Sequence, residues 1–103
     1  MTIYILNLKK ERPRYPFDFK VDRTTPLGNP FFMKSERERD LVCDKYEKYF
    51  SIFIQEQKVK EYFEEIVNSY KQNGRVRLFC WCVPKKCHAF TIKREIIKEV
   101  NKC

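Results

Sequence analysis

The chain has 103 residues, of which 43% are hydrophobic, and 22 Lys and Arg against 14 Asp and Glu give it a formal net charge of +8. This length suits one compact domain, residues 1–103, and no run comes close to the roughly 18 consecutive apolar residues that a membrane span requires. The excess of basic residues favours a polyanionic partner, such as a phosphate-bearing ligand or nucleic acid.

The first third of the chain predicts two short strands followed by a loop. The apolar run at residues 3–6 has the length of a largely buried strand, and the alternation of apolar and polar residues at 17–21 predicts a second one. Residues 24–30 contain two prolines and are expected to form a loop with tight turns. Gly28 lies in this loop. Since the chain has only two glycines, we expect this one to need a positive φ or a close backbone approach.

The middle of the chain predicts two helices. Ser35 and Glu38 have the spacing of a capping box, and apolar residues then recur every three or four positions, which predicts a helix over 36–55. The same periodicity predicts a second helix over 58–72. The Asn-Gly pair that follows is a typical C-terminal stop for this helix.

The last third of the chain predicts a strand followed by a helix. Residues 76–82 are rich in β-forming types and apolar on both faces near their end, as in a central strand, and the apolar spacing after them predicts a helix over 87–101. The order β, β, α, α, β, α indicates an α/β fold. We predict a small single-domain sandwich with a short, mostly parallel, Rossmann-like sheet and helices packed on it.

Potential chemistry is concentrated at residues 80–88, Cys-Trp-Cys-Val-Pro-Lys-Lys-Cys-His, which contain three of the five cysteines and the single histidine. This run ends the predicted central strand and begins the last helix, where α/β proteins usually place ligands. Cys87 would lie at the helix N-terminus, whose amides and dipole favour a thiolate or a bound phosphate. Cys80 and Cys82 alternate with Trp81, and they equally fit the pattern of small buried hydrophobes in the sheet.

The catalytic candidates are Cys82, Cys87 and His88. A nucleophilic cysteine needs a base within hydrogen-bonding reach. Cys82 could reach His88 across the turn, whereas the adjacent Cys87 and His88 are expected to point in different directions. The spacing of Cys80, Cys82, Cys87 and His88 is unusual for a zinc site, and the expected divergence of the last two side chains also weighs against one. We therefore predict no metal and no other cofactor. His88 could equally be a neutral ligand contact or a residue without chemistry.

The ligand-binding candidates combine flexible backbone, amide groups and positive charge. Gly28 would let backbone amides approach a ligand, Asn29 offers both a donor and an acceptor, and Arg23 could hold an anion. Arg39 lies in the first turn of a predicted helix, where a cation is unfavourable, which suggests that it serves an anion or an acidic partner. The full set is Arg23, Gly28, Asn29, Arg39, Lys85 and Lys86. An ordinary proline-bounded turn is the alternative for the loop.

Three motifs together resemble a family of small, often phage-encoded domains of unknown function. The family shares a Gly-Asn-Pro-Phe loop, which is residues 28–31 here, and an Arg followed seven residues later by Tyr on a helix, which is Arg39 with Tyr46. It also shares a late Cys-Trp-Cys-x-Pro-x-x-Cys-His motif, which is residues 80–88 here and includes Pro84. The resemblance implies a shared α/β fold, a shared pocket and a phage or prophage origin, without an established reaction.

The resemblance covers roughly residues 20–100 of this chain. Family members usually continue the Cys-His pair with Gly-Asp, whereas this chain has Ala89 and Phe90, so no role is assigned to an acidic residue there. A second uncharacterised family, with a strand followed by Cys and then Cys-His-Arg at a helix start, is similar in layout.

Two functions from different classes are consistent with these features. The leading hypothesis is a pocket for a nucleotide or nucleotide-derived phosphate ligand, formed by residues 23–31 and 80–88, both of which follow predicted strands. Cysteine- or histidine-assisted hydrolysis or transfer is its enzymatic form, and sequestration of the ligand is its non-enzymatic form. The alternative is a basic nucleic-acid-binding or host-protein interaction module without catalysis. Neither hypothesis includes a membrane partner.

A cytoplasmic location is expected, in the host cytoplasm if the protein is phage-encoded. The N-terminal segment lacks the basic flank and small-residue cleavage site of a secretory signal. Five cysteines is an odd number, and the spacing of Cys80 and Cys82 is close to the upper limit of Cα separation for a disulfide. Reduced thiols therefore fit the sequence better than a disulfide framework.

Overall fold

The computed structural model of the protein describes residues 2–83 and 85–102. Pro84, which belongs to the late motif, lies outside these residues. The elements in chain order are β1 (Thr2–Asn7), β2 (Asp18–Lys20), a 3-10 helix (Glu36–Glu38), α1 (Arg39–Phe53), α2 (Gln57–Asn73), β3 (Arg75–Cys80) and α3 (Ala89–Val100). In the described residues, none of the helices combines the length and the apolar character that crossing a membrane requires.

The three strands form one parallel sheet in the order β1-β3-β2. The predicted α/β class and parallel sheet are therefore confirmed, with β3 in the centre as its apolar sequence indicates, while the Rossmann-like character stays a prediction. β1 lies at an edge, and its burial is one-sided, because Ile3 is buried whereas Tyr4 is exposed. The prediction of a largely buried first strand is wrong, since only the face of β1 that carries Ile3 packs against the core.

The helix that follows the loop begins differently from the prediction. The Ser35 side chain makes no capping hydrogen bond, and the Glu38 carboxylate accepts the Lys34 backbone N–H at 2.9 Å instead of the Ser35 N–H. The predicted capping box is therefore wrong. A 3-10 turn takes its place, and α1 begins at Arg39.

The end of β3 differs from the prediction in a way that matters for the site. The strand ends at Cys80, so Cys82 lies outside it, and alternation along a strand does not fix the direction of its side chain. β1 ends beside it at Asn7, whose side-chain Nδ2 donates to the Val83 carbonyl oxygen at 2.7 Å. The chain therefore leaves the sheet at Trp81. Beyond this point the Asn7 side chain holds it to β1, in place of backbone hydrogen bonds between strands.

An apolar core lies between the sheet and the helices. β3 contributes Val76, Leu78 and Cys80 from alternate positions, and they pack with Ile92 and Ile96 of α3. Because the strands are parallel, the segments that follow β2 and β3 leave the sheet at the same edge, where α/β proteins bind ligands. This arrangement brings the 21–31 loop and the 80–88 turn together.

Candidate functional site

A pocket of about 330 Å³ lies where β2 and β3 end. Its walls come from the loop after β2, the first turns of α1 and the turn between β3 and α3. Nearly all of the cysteines of the chain line it, namely Cys43, Cys80, Cys82 and Cys87. Segments that are distant in sequence therefore share one concave surface, and that surface is rich in thiols.

Most of the candidate site residues line this pocket. They are Arg23, Asn29, Arg39, Cys82, Lys86, Cys87 and His88. Gly28 and Lys85 are not among its lining residues. The Lys85 ammonium lies 3.5 Å from the Glu36 carboxylate, with a largely exposed side chain. The expected ligand role of Lys85 therefore has no support from its position.

Gly28 serves the packing of the loop against itself. A Cβ atom at this position would lie 2.4 Å from the Asp22 carbonyl oxygen and 2.5 Å from the Arg23 Cα. Among the described residues only Gly74 has a positive φ, so the close approach explains the glycine and the backbone angle does not. The close backbone approach expected at Gly28 is therefore confirmed, with residues 22–23 as the neighbour, while a ligand contact at Gly28 stays a prediction.

Gly28→Ala is expected to lower the free energy of unfolding by about 2–3 kcal/mol, because the added methyl group overlaps backbone that cannot rotate away. Gly74→Ala is the matched control, since its Cβ would meet nothing within 4 Å and only its φ of 73° is unfavourable, which costs about 1 kcal/mol. Urea unfolding of both variants measures the difference. An equal or smaller loss for Gly28→Ala would contradict the packing role.

Asn29 anchors the loop to α1. Its side-chain Nδ2 donates to the Val42 carbonyl oxygen at 3.2 Å, and its Oδ1 accepts the Phe31 backbone N–H at 2.9 Å. The residue is buried. The donor and acceptor that the sequence suggested for a ligand are thus engaged within the protein, so Asn29 shapes the pocket wall.

Arg39 connects the start of α1 with the cysteine turn. Its Nε and Nη2 each donate to the Glu36 carboxylate at 2.8 Å, and its Nη1 donates to the Lys86 carbonyl oxygen at 3.1 Å. Hydrogen bonds to Glu36 and then to Cys82 raise the pKa of Arg39, and the same ion pair lowers the pKa of Glu36 to about 2. The acidic partner that the helix position suggested is therefore Glu36, one turn away.

Cys82 is the activated thiol of the pocket. A hydrogen bond from Cys87, followed by the hydrogen bond and charge of Arg39, lowers the pKa of Cys82 to about 5 against the opposing effect of burial. The side chain is partly exposed. A thiolate is the reactive form of cysteine, so these contacts favour the reactive form of Cys82, which is also accessible from the pocket.

Cys87 has the opposite protonation behaviour. Its hydrogen bonds to Cys80 and Cys82, together with burial, raise its pKa well above the ordinary thiol value and outweigh the N–H of Ala89. The interaction between Cys87 and Cys80 lowers the pKa of Cys80 to about 7. These contacts give no support to a thiolate at Cys87, which therefore stays a prediction from its place at the helix N-terminus.

His88 is a buried neutral ring that touches Cys87. Its Nε2 donates to the Val21 carbonyl oxygen, so Nδ1 is the acceptor, and Nδ1 lies 3.5 Å from Cys87 Sγ. Burial lowers the pKa of His88, and the ring packs edge-on against Tyr46 at 5.0 Å between centroids. The expected divergence of Cys87 and His88 is wrong. Since the side chains of Cys87 and His88 are both buried, a substitution of either residue also changes the packing around it.

Sequence reasoning missed the acidic side of the pocket. Trp81 Nε1 donates to the Asp22 carboxylate at 3.0 Å. Burial opposes ionisation of Asp22, but hydrogen bonds from Thr24 and Trp81 lower its pKa. The signal available in the sequence was the position of Asp22 just after a strand, at the edge of the sheet where α/β proteins bind ligands.

The clustered thiols do not form a recognisable metal centre in the residues that the structure describes. Within 2–83 and 85–102, no group of three or more His, Cys, Asp or Glu side chains is arranged to hold an ion. The absence of a metal stays a prediction from spacing.

Comparison with known proteins identifies one family. The family model described as domain of unknown function DUF4326 matches residues 6–98. This range runs from the end of β1 into the last turns of α3 and includes every segment that lines the pocket. No curated protein and no solved structure matches the chain.

Proposed function

The chain belongs to the DUF4326 family, and for this member we propose that the pocket binds a nucleotide or nucleotide-derived phosphate ligand, on which Cys82 acts in hydrolysis or transfer. One observation carries the proposal: three basic side chains and the activated thiol of Cys82 line the same pocket. The basic side chains are Arg23, Arg39 and Lys86. Binding and covalent chemistry are separable parts of the proposal, and each has its own readout.

The hydrogen bonds of the two arginines support an anion site. Arg23 donates to the Asn29 and Phe31 carbonyl oxygens at 3.3 Å, and Arg39 donates through Nη1 to the Lys86 carbonyl oxygen at 3.1 Å. These are long bonds to neutral acceptors. A phosphate oxygen forms shorter and stronger charge-assisted bonds with guanidinium groups, so a phosphate could displace these carbonyls without leaving an arginine unpaired.

The apolar walls of the pocket support a nucleobase. Trp81 is 52% exposed, and its bond to Asp22 fixes the indole at the pocket. An exposed aromatic face stacks a base with a gain of about 1–3 kcal/mol. The volume of about 330 Å³ is at the small end of the roughly 300–1,000 Å³ found for ligand sites, which favours a ligand of mononucleotide size over a dinucleotide.

The thiols support covalent chemistry at the same place. Cys82 is the proposed nucleophile, because its contacts lower its pKa and its side chain is partly exposed. Arg39 lies beside it and can stabilise both the thiolate and negative charge on a reacting phosphate. Cys87 and His88 are assigned a supporting role, since the interaction with Cys87 lowers the pKa of Cys82 and His88 Nδ1 lies 3.5 Å from Cys87 Sγ.

The test of binding is calorimetric titration with nucleoside mono- and diphosphates. Nucleosides and inorganic phosphate, titrated separately, show what each half of the ligand contributes. Arg23→Gln and Lys86→Gln should each weaken binding by roughly 10- to 150-fold, because a hydrogen bond to a charged group contributes about 1.5–3 kcal/mol. Arg94→Gln and Lys98→Gln are matched controls, since these residues pair with Glu47 and Glu95 outside the pocket. Equal affinity of the Arg23 and Arg94 variants would contradict the proposed site.

The test of chemistry is turnover of any nucleotide that binds, compared between the wild-type protein and Cys82→Ser. We expect binding to persist and turnover to stop in the variant. Turnover that survives in Cys82→Ser would remove the nucleophile from the proposal and leave the binding part standing.

A basic nucleic-acid-binding or host-protein interaction module is the second candidate. The observation in its favour is the outer face of the sheet, where Tyr4 is exposed and Arg75 lies 4.9 Å from the centre of the Phe17 ring. A single-stranded oligonucleotide therefore belongs in the ligand panel. Tight, steeply salt-dependent binding of the oligonucleotide without binding of any mononucleotide would favour this candidate.

The cytoplasmic location and the phage origin are further parts of the proposal. The described cysteines Cys43, Cys80, Cys82 and Cys87 are free thiols, which is typical of proteins in a reducing compartment. The phage origin rests on the resemblance of the motifs alone.

A further inference from the structure

We propose that Cys82 and Cys87 form a redox-active dithiol that a low-molecular-weight disulfide oxidises to an intramolecular disulfide. The first basis is a cluster of thiols, because Cys80, Cys82 and Cys87 all line the same pocket, and a side-chain interaction of Cys87 with each of the other two shifts their pKa values. The second basis is accessibility. Cys82 is partly exposed, whereas Cys80 and Cys87 are buried, so a reagent that enters the pocket meets Cys82 first.

Cys82 is the attacking group. Its sulfur accepts the hydrogen bond from Cys87 and lies beside the Arg39 guanidinium, and both interactions stabilise the thiolate. The thiolate attacks one sulfur of the incoming disulfide along the S–S bond. The new bond joins Cys82 Sγ to that sulfur, the old S–S bond breaks, and the other half leaves as a thiolate that solvent protonates.

Cys87 is the resolving thiol, because it lines the pocket together with Cys82 and interacts with it. Cys87 Sγ attacks Cys82 Sγ and displaces the second thiolate, and the Cys87 proton ends on that thiolate. His88 Nδ1 can relay this proton, since it lies 3.5 Å from Cys87 Sγ and is the free acceptor of a ring whose Nε2 donates to the Val21 carbonyl oxygen. Two protein thiols lose two electrons in total, and the disulfide reagent is reduced to two thiols.

Oxidation would consume the thiolate that the proposed ligand chemistry requires, so the pocket would be inactive until a thiol reduces it. Neither step of the exchange involves a nucleotide. The dithiol can therefore be tested without any ligand, and its failure would leave the proposed binding function untouched.

The test exposes the full-length protein to oxidised glutathione, blocks the remaining thiols with iodoacetamide and digests the protein with trypsin. Cleavage after Lys85 and Lys86 separates the peptide 78–85, which contains Cys80 and Cys82, from the peptide 87–93, which contains Cys87. We expect mass spectrometry to find these two peptides cross-linked, with fragmentation assigning the bond to Cys82. Reduced glutathione in excess should reverse it.

Three variants distinguish the steps. Cys87→Ser should stop at the mixed disulfide and accumulate peptide 78–85 with one glutathionyl group, whereas Cys82→Ser should lose at least tenfold of both products. Cys43→Ser is the matched control, because Cys43 lines the same pocket but burial raises its pKa, and it should cross-link like the wild type. A wild-type protein that stays reduced, or one that joins Cys87 to Cys80, would overturn the proposal. Circular dichroism establishes that each variant is folded.

Discussion

Replacing Arg39 by glutamine is expected to raise the pKa of Cys82 and to slow its alkylation at pH 6 by about tenfold or more. In the native protein the hydrogen bond from Cys87 and the adjacent Arg39 hold the pKa of Cys82 at about 5. Glutamine retains a hydrogen-bond donor but removes the positive charge. Because the thiolate is the reactive form, the rate falls up to about tenfold for each pH unit below the new pKa.

The measurement is the rate of iodoacetamide incorporation into peptide 78–85 between about pH 4 and pH 9. A lowered pKa means that the wild-type rate should be constant at neutral pH and should fall only as the pH drops through about 5. Arg94→Gln is the control, since it removes a guanidinium that pairs with Glu47 outside the pocket. A wild-type inflection near the ordinary thiol pKa of about 8.5 would show that Cys82 is not activated.

Tyr46→Ala is expected to lower the free energy of unfolding by about 3–5 kcal/mol, the usual cost of removing a buried aromatic ring. Tyr46 is fully buried, and its ring packs against Phe50, Phe53 and His88. Its hydroxyl donates to the Leu27 carbonyl oxygen at 2.8 Å. The residue thus joins α1, the loop after β2 and the start of α3, and its loss should also disturb the pocket.

Tyr46→Phe separates the hydroxyl from the ring. It keeps the packing but leaves the buried Leu27 carbonyl oxygen without its donor, which should cost about 1–3 kcal/mol. Tyr62→Phe is the control, because its hydroxyl donates to the Lys20 carbonyl oxygen at a more exposed site where water can replace it. Urea unfolding measures both losses. A Tyr46→Phe variant as stable as Tyr62→Phe would show that the Leu27 bond does not hold the loop.

Regular elements were predictable from short windows of sequence. The second predicted helix, 58–72, is observed at Gln57–Asn73, and the last, 87–101, at Ala89–Val100. The apolar spacing succeeded here because each helix buries one face, and that face recurs every three or four residues whatever it packs against. The ends were less predictable, since the Glu38 carboxylate found a neighbouring backbone N–H, that of Lys34, in place of the Ser35 N–H.

The candidate site was predictable in its location but not in its roles. The cluster at 80–88 and the loop near Arg23 both line one pocket, because parallel strands release their following segments at the same edge. The thiolate was assigned to Cys87 from its place before a helix, whereas the contacts lower the pKa of Cys82. The Cys87 thiol and the Arg39 guanidinium lower the pKa of Cys82, and no local sequence pattern relates Arg39 to Cys82.

The sequence by itself determined the α/β class, the order of the elements and the concentration of reactive side chains before the last helix, since each depends on residues that are close in the chain. Only the tertiary structure placed a guanidinium beside the cysteine turn, because Arg39 reaches it from 47 residues away and donates to the Lys86 carbonyl oxygen, and this charge favours a thiolate at Cys82. It likewise decided that Gly28 serves packing, because the atoms that exclude a side chain belong to Asp22 and Arg23. The pKa of a side chain and the space beside a glycine both depend on distances between atoms. Folding sets these distances between segments that are far apart in the chain, so a pattern of neighbouring residues does not predict them.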